Sequence, residues 1–198
     1  MRSKNLNKWG LLISFLIYSS VSIGQNDRIF VEEGDKIFNF GDYEDAILFY
    51  QLAIEENPKN VRAQYMAGTC FLITTSEKKE AVHYLLKAYE LDEEIDNSVL
   101  FKIADGYRYR YEFDNAIEYF NKYIAEINSN PRFYEGYDTE ALIKKAEKRI
   151  HECENAKKYV DNPVDFKAVN AGEKVNSIAQ DYAPTLNEDE TVMYFIYV

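Results

Sequence analysis

Residues 34–58 read GDKIFNFGDYEDAILFYQLAIEENP, a pattern typical of two packed helices joined by a tight turn. Apolar residues recur at spacings of three and four on both sides of Asn39-Phe40-Gly41-Asp42. In that turn Gly41 allows a positive φ angle, and the Asp42 side chain can cap the helix that follows. The stretch therefore predicts a helical hairpin.

The same pattern returns twice, with a period of about 34 residues. A glycine or alanine in the first helix and an alanine in the second are the most constant positions, because helices that cross closely leave room for a small side chain only. The third copy has Tyr111 where the first has its turn glycine, which predicts a tighter or slightly rearranged corner. The paired small residues are Gly34 and Ala46, Gly68 and Ala81, and Ala104 and Ala116, in repeats that run over 27–60, 61 to about 96, and 97 to about 130.

One long amphipathic helix follows the third repeat. It is predicted to begin at Asp138 or Thr139 and to end at Tyr159, with basic residues off its apolar stripe. A helix of this kind covers the exposed end of a repeat stack. The predicted fold class is all-α, a helical solenoid of three repeats plus this capping helix, with a short C-terminal β segment. The stripe consists of Ala141, Leu142, Ala146, Ile150, Cys153 and Ala156.

The first 24 residues differ in kind from the rest of the chain. Three basic residues precede an apolar run over 9–18, and Ser22 and Gly24 stand at the minus three and minus one positions of a cut before Gln25. This layout predicts a secretory signal peptide at residues 1–24, since the apolar run is too short for a membrane span. We therefore expect an exported chain with no transmembrane span after processing.

Charge narrows the possible partners of the chain. The formal net charge is −11, and removing residues 1–24, which hold three basic and no acidic residues, would change it to −14. Nucleic acid and anionic lipid surfaces are poor partners for such a chain.

The pattern changes after Asp161-Asn162-Pro163. Residues 164–169 alternate apolar and polar side chains, and residues 191–198 form an apolar run of the kind found in strands. A lone terminal strand would leave its backbone groups unpaired. Residues 161–198 are therefore predicted to be a linker and the start of a β domain that the sequence does not complete.

The repeats resemble tetratricopeptide repeats over residues 27 to about 130. The residues that carry this resemblance in the first repeat are Gly34, Tyr43, Ala46, Tyr50, Ala53 and Pro58. The resemblance implies a solenoid over residues 25–160 that acts as a module for binding proteins. The chain departs from the family pattern in the second repeat, which lacks the proline and has one additional residue.

The tail resembles the entry into a TolB-like (PD40) β-propeller of Bacteroidetes cell-envelope proteins. The matching residues are 170–177, Asp181-Tyr182-Ala183-Pro184, Asp189-Glu190 and Met193-Tyr194-Phe195. In that family, a signal peptide, tetratricopeptide repeats, the propeller and an OmpA-like peptidoglycan-binding domain follow in order, and some members are PorE-like and associated with type IX secretion. The resemblance implies a truncated member with an incomplete propeller. Peptidoglycan binding would need a C-terminal domain that no residues here match.

A groove lined by the first helix of each repeat is the candidate binding site. Numbering the repeats places a mixture of aromatic and charged residues on its inner face, which suits an extended peptide or a partner helix. Packing between neighbouring repeats is an equally good interpretation of the aromatic residues Phe38, Tyr65 and Phe101. The candidate residues are Arg28, Val31, Asp35, Phe38, Tyr65, Thr69, Leu72, Phe101, Asp105 and Arg108.

No catalytic or cofactor motif occurs in the sequence. Patterns such as G-x-S-x-G, Walker A, H-E-x-x-H or the Rossmann glycines are missing, so no catalytic residue, metal ligand or cofactor is predicted. Cys70 and Cys153 lie far apart in the chain, and a buried thiol is favoured for Cys70 over a disulfide.

These observations favour a non-enzymatic scaffold. We expect it in the periplasm, in contact with the outer membrane, where it binds another envelope protein or peptide within a type IX secretion machinery or a peptidoglycan-anchored assembly. Two alternatives remain open at this point. The repeats can serve as an accessory domain of an envelope peptidase that contains a propeller, or the chain can be a truncated gene product without a function.

Overall fold

A computed structural model describes residues 26–74 and 77–163, together with the backbone of 181–186 and 193–197. The chain divides into two compact units, Met1–Asp161 and Asn162–Val198. The predicted signal peptide lies outside the described residues, as does the alternating segment 164–169. The predicted domain boundaries stay a prediction.

The first unit is all-helical over its described residues. Consecutive helices pack against each other from α2 to α7, and the first helices of the second and third repeats also touch directly. The predicted solenoid of three helical hairpins plus a further helix is thereby confirmed. The helices are α1 (26–40), α2 (Tyr43–Glu56), α3 (Val61–Ile73), a 3₁₀ turn (Lys78–Glu80), α4 (Ala81–Leu91), α5 (Val99–Tyr109), α6 (Phe113–Ser129) and α7 (Thr139–Asp161).

Side-chain caps fix where several helices begin. Asp42 accepts a hydrogen bond from the Asp45 amide at 3.3 Å, and Asn60 accepts one from the Ala63 amide at 2.9 Å. Asp138 does the same for the Ala141 amide at 3.0 Å, so α7 starts where the sequence predicts. Each cap satisfies an amide that has no partner within its helix.

Small residues let the two helices of each hairpin approach. A Cβ atom on Gly34 would lie 2.8 Å from the Tyr50 ring, and one on Gly68 would lie 2.6 Å from Leu85 Cγ. Both distances are too short for real atoms, so any side chain there would push the helices apart. The matching alanines of the second helices, Ala46, Ala81 and Ala116, are fully buried.

The corner between α5 and α6 keeps the backbone of the first hairpin. Tyr111 has a φ of 59°, in the same left-handed region as Gly41 at 89°. The Tyr111 and Glu112 amides donate to carbonyls three and five residues earlier, as do the amides of Gly41 and Asp42. The predicted tighter or rearranged corner is therefore wrong, because helix packing imposes the left-handed turn even on a tyrosine.

The last helix packs against α6 and buries Ala146 and Cys153 of its predicted apolar stripe. It extends to Asp161, two residues beyond the predicted end. None of the described helices has the length and apolar character that crossing a membrane requires.

The described residues of the second unit form two antiparallel strands, β1 (Asp181–Leu186) and β2 (Met193–Tyr197). Asp181 stands opposite Tyr197 and Leu186 opposite Met193, with an irregularity between Tyr182 and Thr185. The C-terminal strand is therefore paired within its own unit.

Replacing Tyr111 by glycine tests the backbone cost of this corner. We expect the Tyr111→Gly variant to exceed the Tyr111→Ala variant in free energy of unfolding by about 1 kcal/mol, because only glycine adopts positive φ without a steric penalty. Chemical denaturation of both variants provides the measurement.

Tyr119, in the middle of α6, is the control position. There the glycine variant should be less stable than the alanine variant by roughly 0.5–1 kcal/mol, since glycine weakens a helix interior. The same order of stabilities at both positions would contradict a left-handed Tyr111.

Candidate protein-binding face

The inner face is defined here as the side of the stack formed by α1, α3 and α5, together with the residues of α7 that contact α5. The ten residues predicted to line the groove all lie on α1, α3 and α5. Their binding role stays a prediction, but their surroundings differ widely.

A cavity of about 380 Å³ opens on the inner face beside the first repeat. Three of the predicted groove residues, Arg28, Val31 and Asp35, line it. Asn60 and Arg62, at the start of α3, complete it together with Asp27 and Glu32 of α1. This part of the predicted groove is therefore an open recess with both charged and apolar walls.

Asp35 is the centre of a polar cluster in this recess. The Tyr50 hydroxyl donates to one oxygen of the Asp35 carboxylate at 2.9 Å, and the Arg62 guanidinium lies 2.8 Å from the other. Burial raises the pKa of the Tyr50 hydroxyl, and the hydrogen bond to Asp35 adds to this effect. Tyr50 is therefore a neutral donor that holds the carboxylate in place.

Asp27 ties the start of α1 to the turn between α2 and α3. The Asn57 and Asn60 side-chain amides donate to its carboxylate at 2.7 and 3.0 Å. Burial pushes the pKa of Asp27 upward, but these hydrogen bonds outweigh it and hold the pKa below its usual value. The ionised carboxylate is thus a fixed part of the wall of the recess.

The middle of the inner face holds a lysine packed on an aromatic ring. The Lys102 ammonium lies 4.3 Å from the centre of the Tyr65 ring, contacts the Tyr65 hydroxyl and lies 3.9 Å from the Asp96 carboxylate. Burial lowers the pKa of Lys102, although the nearby Asp96 carboxylate acts to raise it. The ring of Tyr65 is therefore covered by its own chain.

At the third repeat, α7 meets the predicted groove residues. The Lys145 ammonium lies 4.7 Å from the centre of the Phe101 ring. Arg108 binds Asp105 at 2.7 Å and Glu152 at 3.2 Å. Residues of α7 thus contact all three residues that the sequence places in this part of the groove.

Arg149 joins this cluster from α7. Its guanidinium lies 2.8 Å from the Glu152 carboxylate and 3.9 Å from that of Asp105. The hydrogen bond from Arg149 holds the pKa of Glu152 below its usual value. Two carboxylates and two guanidinium groups thus form one network across α5 and α7.

The uncharged groove candidates fall into two groups, one buried and one partly exposed. Val31, Tyr65 and Phe101 are 7–8% exposed and belong to the core, so packing accounts for their apolar character. Phe38, Thr69 and Leu72 are partly exposed, which leaves surface for a partner.

The sequence interpretation missed several residues of this face. Asn60 caps the start of α3, and Arg62 and Lys102 lie on α3 and α5. The others come from α7 and are Lys145, Arg149 and Glu152. The spacings of four and three between these α7 residues place them on one helical side and could have indicated a shared face.

Neither cysteine forms a disulfide in the structure. Cys70 and Cys153 are free thiols with at most 1% of their surface exposed. Burial raises the pKa of the Cys70 thiol to about 12, and it also raises that of Cys153. Among the described residues, no group of three or more His, Cys, Asp or Glu side chains could hold a metal ion.

The chain contains tetratricopeptide repeats. Residues 38–60 and 61–95 match the profile of the family described as Tetratricopeptide repeat. The third hairpin, α5 and α6, lies outside the matched residues but has the same packing. None of the curated proteins compared with the chain matches it in sequence.

Solved structures agree with this class at the level of fold. The complex of PcrH with the chaperone binding region of PopD has a TM-score of 0.52 and 17% identity, and the match covers 66% of this chain and 92% of that one. The type III secretion translocator chaperone SycD of Yersinia enterocolitica has a TM-score of 0.53 and 17% identity, and the match covers 66% of this chain and 85% of that one. The complex of the yeast Sti1 TPR2B domain with pHsp70 has a TM-score of 0.51 and 18% identity, and the match covers 63% of this chain and 98% of that one.

Burial of both thiols predicts their reactivity. In the native protein at pH 8, we expect neither Cys70 nor Cys153 to react with a chromogenic disulfide reagent on the time scale of minutes, because a buried protonated thiol is a poor nucleophile. In guanidinium chloride both should react, giving two thiols per chain. Fast reaction in the native state would contradict the burial, and no reaction after unfolding would indicate a disulfide.

Proposed function

We propose that the chain is a non-enzymatic scaffold whose inner face binds an extended segment of another protein. The observation that supports this proposal is the recess of about 380 Å³ between α1 and α3, which is lined by charged and polar residues and by Val31. Partly exposed Phe38 and Leu72 extend the apolar surface along the same helices. Extended peptides bind such surfaces through backbone hydrogen bonds and side-chain pockets.

The solved structures support the same proposal by analogy. PcrH was crystallised with the chaperone binding region of PopD, and the TPR2B domain of yeast Sti1 was solved as a complex with pHsp70. In both cases a stack of this fold is in complex with part of another protein.

A pair of matched double variants tests the inner face. A library of random twelve-residue segments is selected against the full chain, and selected peptides are titrated by fluorescence anisotropy. We expect Arg28→Ala with Leu72→Ala to weaken binding by about tenfold or more, because both substitutions remove inner-face contacts, and a loss of 1.4 kcal/mol has this effect.

The control is Lys36→Ala with Leu48→Ala. It also removes one cation and one leucine, but Lys36 pairs with Glu33 on an exposed part of α1 and Leu48 is 57% exposed on α2. Binding by the control should stay within about twofold of the unmodified chain. Equal weakening by both pairs would argue against the inner face, and recovery of no binding peptide would argue against the scaffold. Tyr65 and Phe101 are unsuitable targets, because they belong to the core.

We further propose that the scaffold is exported and acts in the periplasm, in contact with the outer membrane. The layout of residues 1–24 supports export, and the tail over residues 170–195 supports a place among PorE-like envelope proteins. The partner is then another envelope protein, within type IX secretion or a peptidoglycan-anchored assembly.

Export predicts a specific mature end. When the full gene is expressed in a bacterium with an outer membrane, we expect the protein in the periplasmic or membrane fraction, with Gln25 as its first residue, because Ser22 and Gly24 suit the cleavage enzyme. Mass spectrometry of the purified protein measures this. Replacing Gly24 by a bulky residue should block cleavage. An uncleaved chain in the cytoplasmic fraction would contradict export without affecting the binding proposal.

A further inference from the structure

One buried tyrosine holds the segment that joins α6 to α7, residues 130–138, called here the α6–α7 link. Tyr134 has 1% of its surface exposed, and its ring packs edge-on against that of Tyr123. Its hydroxyl oxygen lies 2.9 Å from the Glu126 carboxyl group on α6. It also lies 3.0 Å from the carbonyl oxygen of Asn97, in the turn between α4 and α5. One phenol oxygen thus joins three parts of the stack.

Both neighbours of this hydroxyl are acceptors when Glu126 is ionised. A phenol carries one proton, so it can donate either to the carboxylate or to the Asn97 carbonyl. At the other contact, two oxygens would then face each other at hydrogen-bonding distance without a proton between them. A carboxyl group that keeps its proton removes this conflict. It donates to the phenol oxygen, and the phenol donates to the carbonyl, so both contacts are hydrogen bonds.

The charges around Glu126 favour the protonated carboxyl group. Burial raises the pKa of Glu126, and the carboxylates of Glu94 and Glu93, in the turn after α4, raise it further. The hydrogen bond from Tyr134 offsets these effects only in part. Asp96, in the same turn, adds negative charge near the Tyr134 hydroxyl. An ionised Glu126 would therefore be one more anion in an acidic neighbourhood.

The other titratable groups that face this carboxyl group are tyrosines. Tyr89 lies on α4 and Tyr123 on α6, and burial raises the pKa of both hydroxyls. Burial also raises the pKa of Tyr134, and the hydrogen bond to Glu126 adds to this effect. All three tyrosines are neutral near pH 7, so the group that gains or loses a proton in this cluster is Glu126.

We propose that Glu126, Tyr134 and the Asn97 carbonyl form a proton-dependent clasp, which ties the α6–α7 link to α6 and to the turn before α5. The clasp is closed while the carboxyl group keeps its proton. Loss of the proton leaves one contact without a hydrogen bond and places a charge beside Glu93 and Glu94, so the clasp opens. This inference concerns the stack itself and does not depend on what the inner face binds.

The direction of the pH dependence follows from the raised pKa of Glu126. A carboxyl group whose pKa is higher in the folded than in the unfolded chain stabilises the fold at low pH, and this contribution is lost as the pH rises through the folded value. Glu152 acts in the opposite direction, because the hydrogen bond from Arg149 lowers its pKa and its contribution is lost at low pH. Comparing variants at each pH separates Glu126 from such groups.

Glu126→Gln gives a clasp that cannot lose its proton. The glutamine amide can donate to the Tyr134 oxygen, which leaves the hydroxyl to donate to the Asn97 carbonyl. Thermal unfolding of the full chain and of this variant is followed by circular dichroism at pH 5 and pH 8. We expect the gain in melting temperature from the substitution to be about 2–4 °C larger at pH 8 than at pH 5.

Glu118→Gln is the matched control on the same helix. It removes the same charge, but from an exposed pair with Lys122. Its effect on the melting temperature should differ by less than about 1 °C between the two pH values, because an exposed pair contributes little at either.

Tyr134→Phe separates the hydrogen bonds from the charge. The phenylalanine ring still fills the core, but the hydroxyl is removed. In this background Glu126→Gln relieves only the repulsion by Glu93 and Glu94, so its pH-dependent gain should fall to about half or less.

Three results would overturn the clasp. The first is a lower melting temperature of Glu126→Gln than of the unmodified chain at pH 8, because the ionised carboxylate would then be the better acceptor for Tyr134. The second is an equal pH-dependent gain in Glu118→Gln, and the third is a gain that Tyr134→Phe leaves intact. The peptide titrations test the inner face separately, so failure of the clasp leaves the proposed function standing.

Discussion

The close crossing of paired helices is the constraint on which the rest of the structure depends. Gly34 and Gly68 leave no room for a Cβ atom, and each faces a large side chain of the second helix, Tyr50 or Leu85. This contact sets the separation of the helices within a hairpin. It also determines where the hairpin must turn, so the left-handed residue at the corner follows from the packing. Stacking of the hairpins then brings α3 and α5 side by side to form the inner face.

The same packing gives Tyr50 two roles. Its ring fills the space over Gly34, and its hydroxyl binds Asp35 on the inner face. The core of the first repeat therefore orients a carboxylate that lines the recess. A candidate binding surface is in this way positioned by the helix crossing that stabilises the hairpin.

The spacing of apolar and small residues was sufficient to predict the hairpins, because each crossing involves residues close in sequence. The corner at Tyr111 could not be predicted, since tyrosine disfavours positive φ and only the assembled hairpin imposes it. On the inner face, repeat numbering gave the correct helices but not the depth of each side chain. Lys102 packs on the Tyr65 ring and Lys145 on Phe101, and Arg108 binds Glu152, which is 44 residues away. Contacts over such separations leave no periodic signal in the sequence.

The carboxylate of Asp27 limits local unfolding of the first helix. Contacts in the first unit run mainly between helices adjacent in the chain, so local unfolding can start from either end. At the first end, Asp27 binds both Asn57 and Asn60, and α1 cannot fray without disturbing the α2–α3 turn. At the other end of the stack, the ion pairs of Arg149 and Glu152 with Asp105 and Arg108 hold α7 to α5 in a comparable way. Each terminal helix of the described stack is thus tied by polar contacts to an element beyond its immediate neighbour, so fraying at either end must break those contacts as well as the local packing.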